Sequence, residues 1–544
     1  MLAKLHTVQI LGIKPHVVDI EVDTSKGLHS FSIVGLADKA ISEAKDRINA
    51  AVKNSGFKSV VKGNKKIIVS LAPADIKKEG TNFDLGIALA YLLAEGEIKF
   101  NPKKKIFLGE LSLDGKLRPI KGSLLLTQAG KAKGFEEVYL PAENAKEAAL
   151  IRGIKIFPCQ SLKEIINHLQ VLPLHEGGVR GGKVKIPTPS KTKVDSVKHS
   201  LDEKREPIFT INPQPETDLT PEEYAPQFDF SDVRAQEGAK RGLEIAAAGG
   251  HNAAMFGPPG TGKTMLAKAF CGILPPLSYD EIVETTGIHS AAGVLEDNII
   301  TEPPFRAPHH TASFISIVGG GTYPKPGEIT LSHRGVLFMD EFPEFEKRVI
   351  ESLRQPLEDK MISISRSKGS MLFPANFILI ATMNPCPCGH RGSKTHECIC
   401  TASDIGRYER KLSGPIVDRI DLWLDVPQIA HEKLSSEENR GDSSEEIRKR
   451  VIRARQIQLD RFTKDKLKIT SNAEMGIREI VRYAPITEKC SQLLNDAARR
   501  LDLSARAYHR IVKLARTIAD LAGEDNIKED YILEALQYRP RVRV

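Results

Sequence analysis

Residues 251–274 read HNAAMFGPPGTGKTMLAKAFCGIL. Within them G-x-x-x-x-G-K-T follows a short apolar run and precedes a helical pattern of Met265, Leu266, Ala269, Phe270, Ile273 and Leu274, the strand–loop–helix context that a phosphate loop requires. Gly257, Gly260 and Gly262, with Pro258, Pro259 and Thr261 between them, let backbone N–H groups wrap phosphate oxygens at a helix N-terminus. Lys263 is placed to reach the β- and γ-phosphates and Thr264 to ligate magnesium, so ATP and Mg²⁺ are the expected ligands. Alternating apolar strands and amphipathic helices around this loop predict an α/β fold with a largely parallel sheet.

A second apolar run, GVLFM, ends in Asp340 and Glu341, which puts two carboxylates at the C-terminal edge of the sheet, where open α/β folds bind ligands. Asp340 is expected to hold magnesium through water and Glu341 to polarise the attacking water. The plainer reading of the pair is a solvated strand end. A third run, FILIATMN, ends in Asn384, suited either to orienting that water near the γ-phosphate or, ahead of Pro385, to forming a turn. In GPIVDRIDLWLDV a short helix is expected to end at Arg419 before another strand. That arginine reads either as an ion-pair partner of Asp418 or Asp421 or as a finger reaching a neighbouring subunit's γ-phosphate.

The stretch NPCPCGHRGSKTHECIC, residues 384–400, holds four of the chain's seven cysteines. Cys386, Cys388, Cys398 and Cys400 could supply four thiolates to one Zn²⁺, with His390 and His396 as substitutes, although C-x-C is tighter than the usual zinc spacing. The alternative is a set of reduced thiols in a loop. Almost no apolar residue is available to hold this segment by burial, so a bound ion would fix it where packing cannot. A closed four-thiolate shell leaves no open position, which makes such an ion structural. Cys159, Cys271 and Cys490 stand alone, a poor disulfide framework.

At 544 residues the chain is expected to form several domains. Its longest apolar runs fall well short of the ~18 residues of a membrane span, and its start lacks the pattern of a secretory signal, so no membrane role and a cytoplasmic location are expected. A formal charge of +8 permits a polyanionic partner without requiring one. Residues 1–170 alternate strand-like and helix-like patterns, with Ile41, Ala44, Ile48, Ala51 and Val52 on one helical face, and read as a self-contained α+β domain. Residues 171–226, rich in Gly, Pro, Lys, Ser and Glu, read as a flexible linker. Residues 227–426 carry the parallel-sheet core, and 427–544 form a charged helical domain.

Several phrases, among them VGLADKAISEAKDRINAAVKNSGF, LAPADIKKEGTNFDLGIALAYLLA, PFRAPHHTAS, NPCPCG, SGPIVDRIDL and SARAYHRIVKLARTIADLAG, resemble signatures of the YifB/ComM family of magnesium-chelatase-like AAA+ ATPases. The resemblance implies a Lon-protease-like N-terminal domain, a P-loop AAA+ core and a C-terminal helical lid. It implies a homo-oligomer, a hexameric ring with sites between subunits. Lys263, Thr264, Asp340, Glu341 and Asn384 would act from one subunit and Arg419 from its neighbour, with Arg506 as the second sensor. PFRAPHHTAS, the stretch 319–326 and a hairpin turning near 367–369 resemble pore elements; Arg366 and Lys368 there either face a threaded strand or form a solvated turn.

The Lon-like domain departs from the peptidase pattern, because Asp84 stands where the serine nucleophile is expected and Leu124 where the lysine is expected. The resemblance therefore implies a binding or ring-forming module without proteolysis. The implied function is an ATP-hydrolysing motor on DNA, a helicase or branch-migration translocase in recombination or DNA uptake, with recombination proteins as partners. A magnesium-chelatase motor subunit and a protein-remodelling ATPase are the alternatives. Chelatase subunits are expected to lack the Lon-like domain.

Overall fold

The computed structural model describes residues 2–60, 64–171, 210–219, 228–295, 299–321, 324–366, 369–392, 396–429 and 441–540. They fall into two compact units, Met1–Asp218 and Leu219–Val544.

In the first unit the strands Leu2–Leu11 and Lys14–Lys26 pair antiparallel, Lys65–Ala72 pairs antiparallel with the other side of Lys14–Lys26, and Ser30–Val34 runs parallel to Lys65–Ala72. Alternation along Lys14–Lys26 buries Val18, Ile20 and Val22 on one face. The helix Lys39–Asn54 begins where the Asp38 side chain accepts the Ile41 N–H, and it buries Ile41, Ala44, Ile48, Ala51 and Val52, the face expected from their spacing. The helix Asp84–Ala94 is apolar all round and buried along nearly its whole length, which puts it at the centre of this core. Three further strands, Lys105–Phe107, Glu137–Pro141 and Lys155–Cys159, form a parallel sheet.

The stretch expected as a linker is described only at residue 171 and over 210–219. There Ile211 is buried and donates its N–H to His168 Nδ1 at 3.0 Å, and Gln214 bridges to Ile156. This part of the stretch packs on the first unit, anchored by one apolar side chain that the average composition concealed. The remainder lies outside the described residues.

The second unit is built on five parallel strands in the spatial order Phe305–Arg306, Val336–Met339, Ile378–Met383, Ala253–Phe256, Leu422–Asp425. All four residues of Val336–Met339 are buried, as in a sheet covered on both faces. The first strand in the chain lies between the fourth and the fifth. Winding reverses there, and such a switch point opens a crevice at the C-terminal strand ends.

The helix Glu237–Gly249 lies close against the sheet: a Cβ on Gly242 would come within 2.2 Å of the Leu424 side chain. Beyond the sheet come the helices Ser444–Lys464, Ile477–Tyr483, Glu488–Leu501, Ala505–Ala522 and Glu529–Gln537. Their Val451, Leu494, Leu514 and Ile518 join one apolar core with Leu243, Met255 and Leu424. The boundary expected at 426 therefore runs through a shared core. Met361–Arg366 and Gly369–Pro374 form the expected hairpin, with Arg366 opposite Gly369; Lys368 and the Arg366 side chain lie outside the described residues. Among the described residues no helix is long and apolar enough to cross a membrane.

Candidate active site

The strand Ala253–Phe256 ends at Gly257, whose absent Cβ would stand 2.1 Å from the Val426 carbonyl oxygen, so only glycine lets the chain turn off the sheet there. Gly260 and Gly262 take φ of +75° and +90° before the helix Lys263–Phe270 begins. Lys263 Nζ donates to Gly257 O and Pro258 O, each at 2.7 Å, and to Asn384 Oδ1 at 3.2 Å. Thr261 Oγ1 donates to Pro258 O at 3.0 Å, bracing the loop from within. Burial pushes the Lys263 ammonium down to about 8, against the opposing pull of Asp340 and Glu341.

Thr264 Oγ1 donates to Asp340 Oδ2 at 3.1 Å, and Thr382 Oγ1 donates to Asp340 Oδ1. A hydroxyl and a carboxylate facing each other at this range are hard oxygen donors of the kind magnesium takes, and these two residues fit it. Glu341 adopts φ of +52°, a left-handed conformation that costs a side-chain-bearing residue free energy. Its N–H is held by Thr382 Oγ1 at 3.1 Å, while its half-exposed carboxylate lies 3.6 Å from His310 Nδ1. Thr382 and His310 are absent from the sequence-derived set. Thr382 is a polar residue inside the apolar run FILIATMN, and His310 stands in PFRAPHHTAS, a stretch that resembles a pore element.

Arg419 follows the helix Gly414–Val417. Its NH1 donates to Pro415 O at 2.7 Å, and its guanidinium pairs with Glu358. Arg506 NH2 donates to the same carboxylate at 3.2 Å. Neither Asp418 nor Asp421 pairs with Arg419, because Asp421 is turned inward, accepting the Asn252 N–H at 3.0 Å with His251 at 3.7 Å. Arg510, one turn beyond Arg506, donates to the carbonyls of Asp418 at 3.2 Å and Ile420 at 2.6 Å. The helix Ala505–Ala522 is thereby tied to the turn that carries Arg419. Both arginines are gathered on Glu358 and not on the Lys263–Asp340 cluster, and nothing in the sequence singled out Glu358.

Cys386, Cys388, Cys398 and Cys400 bring their sulfurs within 4.8 Å of one another, the only group with metal-ligand chemistry of this kind among the described residues. Three of the separations are 3.4, 3.6 and 3.6 Å, near the ~3.8 Å edge of a tetrahedron with 2.3 Å zinc–sulfur bonds, so the four thiols fit zinc. Between the two C-x-C pairs, Gly389 and Gly392 take φ of +81° and +78°. His390 and His396 stand outside the group, their rings 5.0 Å apart. The His390 N–H lowers the Cys388 thiol to about 6. A Cβ on Gly389 would come within 2.8 Å of the Pro259 ring, so the cysteine loop lies directly against the phosphate loop.

In the first unit Asp84 is 1% exposed and closed off: Arg47 Nε and NH2 donate to its two oxygens at 2.8 and 3.0 Å, and the Leu111 N–H at 3.3 Å. Burial raises it to about 6, with Arg47 opposing. Leu124 is buried and contributes only its N–H, to Glu147 Oε1 at 3.0 Å.

Family models described as magnesium chelatase, subunit ChlI, as subunit ChlI of Mg-chelatase and as magnesium chelatase, subunit ChlI C-terminal match residues 229–434, 20–144 and 441–539 respectively. The chain is 39% identical to the competence protein ComM of Haemophilus influenzae over 545 residues, 100% of this chain and 98% of that protein. It is 39% identical to YifB of Escherichia coli over 541 residues, 99% of this chain and 97% of that protein. The magnesium-chelatase 67 kDa subunit of Heliobacterium mobile is 25% identical over 257 residues, 41% of this chain and 37% of that protein.

Proposed function

Because the chain belongs to the ComM/YifB family of magnesium-chelatase-like AAA+ ATPases, we propose that it hydrolyses ATP in a homohexameric ring and uses the energy to move along DNA. One observation carries the hydrolytic part: three strand ends deliver Lys263, Asn384, Asp340 and Thr382 to one point, with Thr264 and Glu341 joined to it. Lys263 and the loop N–H groups bind the phosphates, Asn384 and Glu341 orient and polarise the attacking water, and Thr264 and Asp340 hold magnesium, which neutralises phosphate charge. Arg419 completes the site from the adjacent subunit and Arg506 acts as the second sensor, the two arginines held together by Glu358. The four cysteines hold one zinc that fixes the loop behind Pro259.

The DNA part draws on full-length similarity to a protein named for competence. The first unit does not separate the readings, since residues 20–144 match a chelatase-described model and the expectation that chelatase subunits lack this region loses its force. Coverage supports the first reading: the named chelatase subunits span 41% and 29% of this chain. The first unit is read as a Lon-like fold without peptidase chemistry, since Asp84 is spent on Arg47.

The test is ATP turnover of purified full-length protein alone and with branched DNA, single-stranded DNA or an unfolded protein. Stimulation by DNA, strongest with the branched form, is expected. Stimulation by unfolded protein alone would replace the DNA motor with a protein remodeller.

A further inference from the structure

The edge of the sheet opposite the phosphate loop carries a cavity of about 440 Å³, within the range of small-molecule sites. It lies among the segment 274–278, the strand entries at Gly335 and Ile378, the helix Ser444–Lys464 and residues 470–474. Three features set it apart from a packing gap. Lys360, at φ of +57°, closes the helix Arg354–Asp359 and lines the cavity, and its ammonium makes no hydrogen bond or ion pair with the described residues. Glu474 and Asp421 pull on it only from beyond ion-pair range. Arg455 commits only Nε, to Ala247 O at 3.1 Å, and it too has no ion pair. Finally, Ile452 and Leu459, 41% and 42% exposed, line the cavity as uncovered apolar side chains on one helix.

The two lining carboxylates, Glu474 and Glu281, act on these cations only from beyond ion-pair range. Glu474 accepts from Asn376 Nδ2 and from the Thr470 N–H and hydroxyl, each at 3.2 Å, and from Ser471 Oγ at 3.5 Å. Glu281 caps its own helix at Ser278 and pairs with Arg334 at 3.5 Å. Both acids have hydrogen-bond partners of their own, while Lys360 and Arg455, each partly buried, have no carboxylate of the described residues within ion-pair range and can still take a negative charge.

We propose that this cavity is a binding site for a small organic anion, its phosphate or carboxylate head between Lys360 and Arg455 and its apolar body against Pro275, Ile378 and Leu459. The binding claim stands on the cavity alone. Its regulatory consequence rests on the ATPase reading: Lys360 lies two residues from Glu358, which holds Arg419 and Arg506, and it leads directly into the hairpin strand Met361–Arg366. Occupancy would therefore bear on the arginine pair and the hairpin base together.

The experiment is titration calorimetry on full-length protein with phenyl phosphate and with benzoate, the two arms separating phosphate from carboxylate, and with inorganic phosphate and phenol as half-ligands. With the phosphate loop filled by a non-hydrolysable ATP analogue, or emptied by Lys263→Ala, saturable binding of one anion per chain is expected, tighter for an intact probe than for either half-ligand. Lys360→Met should weaken it at least tenfold, while Lys263→Ala, which empties the phosphate loop, should leave it unchanged. Arg455→Met should act like Lys360→Met; should it unfold the helix packing, Leu459→Ser, on the half-exposed face, should still weaken the intact probe at least fivefold without affecting inorganic phosphate. Absence of saturable binding in both arms, survival of binding in Lys360→Met, or its loss in Lys263→Ala overturns the site.

Discussion

Asp84 and Lys263 each occupy the first turn of a helix with the charged group withdrawn from water, yet the two are met in opposite ways. Asp84 receives a bidentate guanidinium and a backbone N–H, so its charge is answered within the chain. Lys263 is met only by two carbonyl oxygens and one amide oxygen. A buried charge paired with its opposite has no demand left, whereas one held by neutral dipoles still stabilises an arriving counter-charge. The same residue pattern, a charged side chain beginning a helix, thus yields an internally paired strut in one unit and, in the other, a cation with no ion-pair partner among the described residues, the one proposed to bind phosphate.

The largest expected effect falls on Glu341, whose left-handed backbone and half-exposed carboxylate serve no packing purpose. Glu341→Gln should lower turnover by about 10³-fold while nucleotide binding persists, measured by phosphate release and by equilibrium binding of a labelled nucleotide. Turnover at the wild-type rate would return Glu341 to an ordinary strand end.

The reverse experiment attacks the strut. Arg47→Met leaves the Asp84 carboxylate buried and alone, and should cost the first unit about 3–5 kcal/mol, whereas Arg47→Met with Asp84→Leu should recover most of that loss. Denaturant unfolding of that unit reads the difference, and nucleotide affinity should not change. Equal destabilisation by the single and double changes would mean that packing, not pairing, governs the site.

Between these lies the cysteine loop. Wild-type protein should carry about one zinc per chain by elemental analysis, and Cys398→Ser should lose it with a fall in turnover of about tenfold. Gly389→Ala, which forces a Cβ against Pro259 at φ of +81°, should lower turnover while keeping the zinc. An inactive, zinc-free Cys398→Ser beside a fully active Gly389→Ala would move the effect of the metal away from the phosphate loop.

The smallest effect is a pH dependence. The free Lys263 ammonium titrates near 8, below its ordinary value, and bound phosphates raise it again, so binding above pH 8 must take up a proton. Affinity for a non-hydrolysable ATP analogue should be flat below pH 8 and fall by up to about tenfold per pH unit above it. A curve flat to pH 9.5 would remove the desolvated lysine from the account.

Local chemistry made much of this legible. The apolar runs before Gly257, Asp340 and Asn384 forecast the strand ends that converge, and the face of Ile41, Ala44 and Ile48 forecast its helix. What stayed hidden depended on contacts between distant segments. Glu358 gains its role only where the hairpin base meets the turn of Arg419 and the helix of Arg506, 61 and 148 residues away. Asp421 reads as a natural partner of Arg419 in sequence, but the strand entry turns it toward Asn252. Ile211 looked like part of a linker because one anchor is invisible to composition.

The central claim is that each nucleotide is hydrolysed between two subunits, and mixing inactive variants tests it most directly. Arg419→Ala and Glu341→Gln proteins should each be inactive, and rings formed from equal amounts of both should regain activity, since about a quarter of randomly assembled interfaces then pair an intact Glu341 with an intact Arg419. Mixed rings must first be verified by differential tagging and size. Activity returning in those rings is the predicted result; verified mixed rings that stay inactive would contradict it and leave Arg419 as no more than the partner of Glu358.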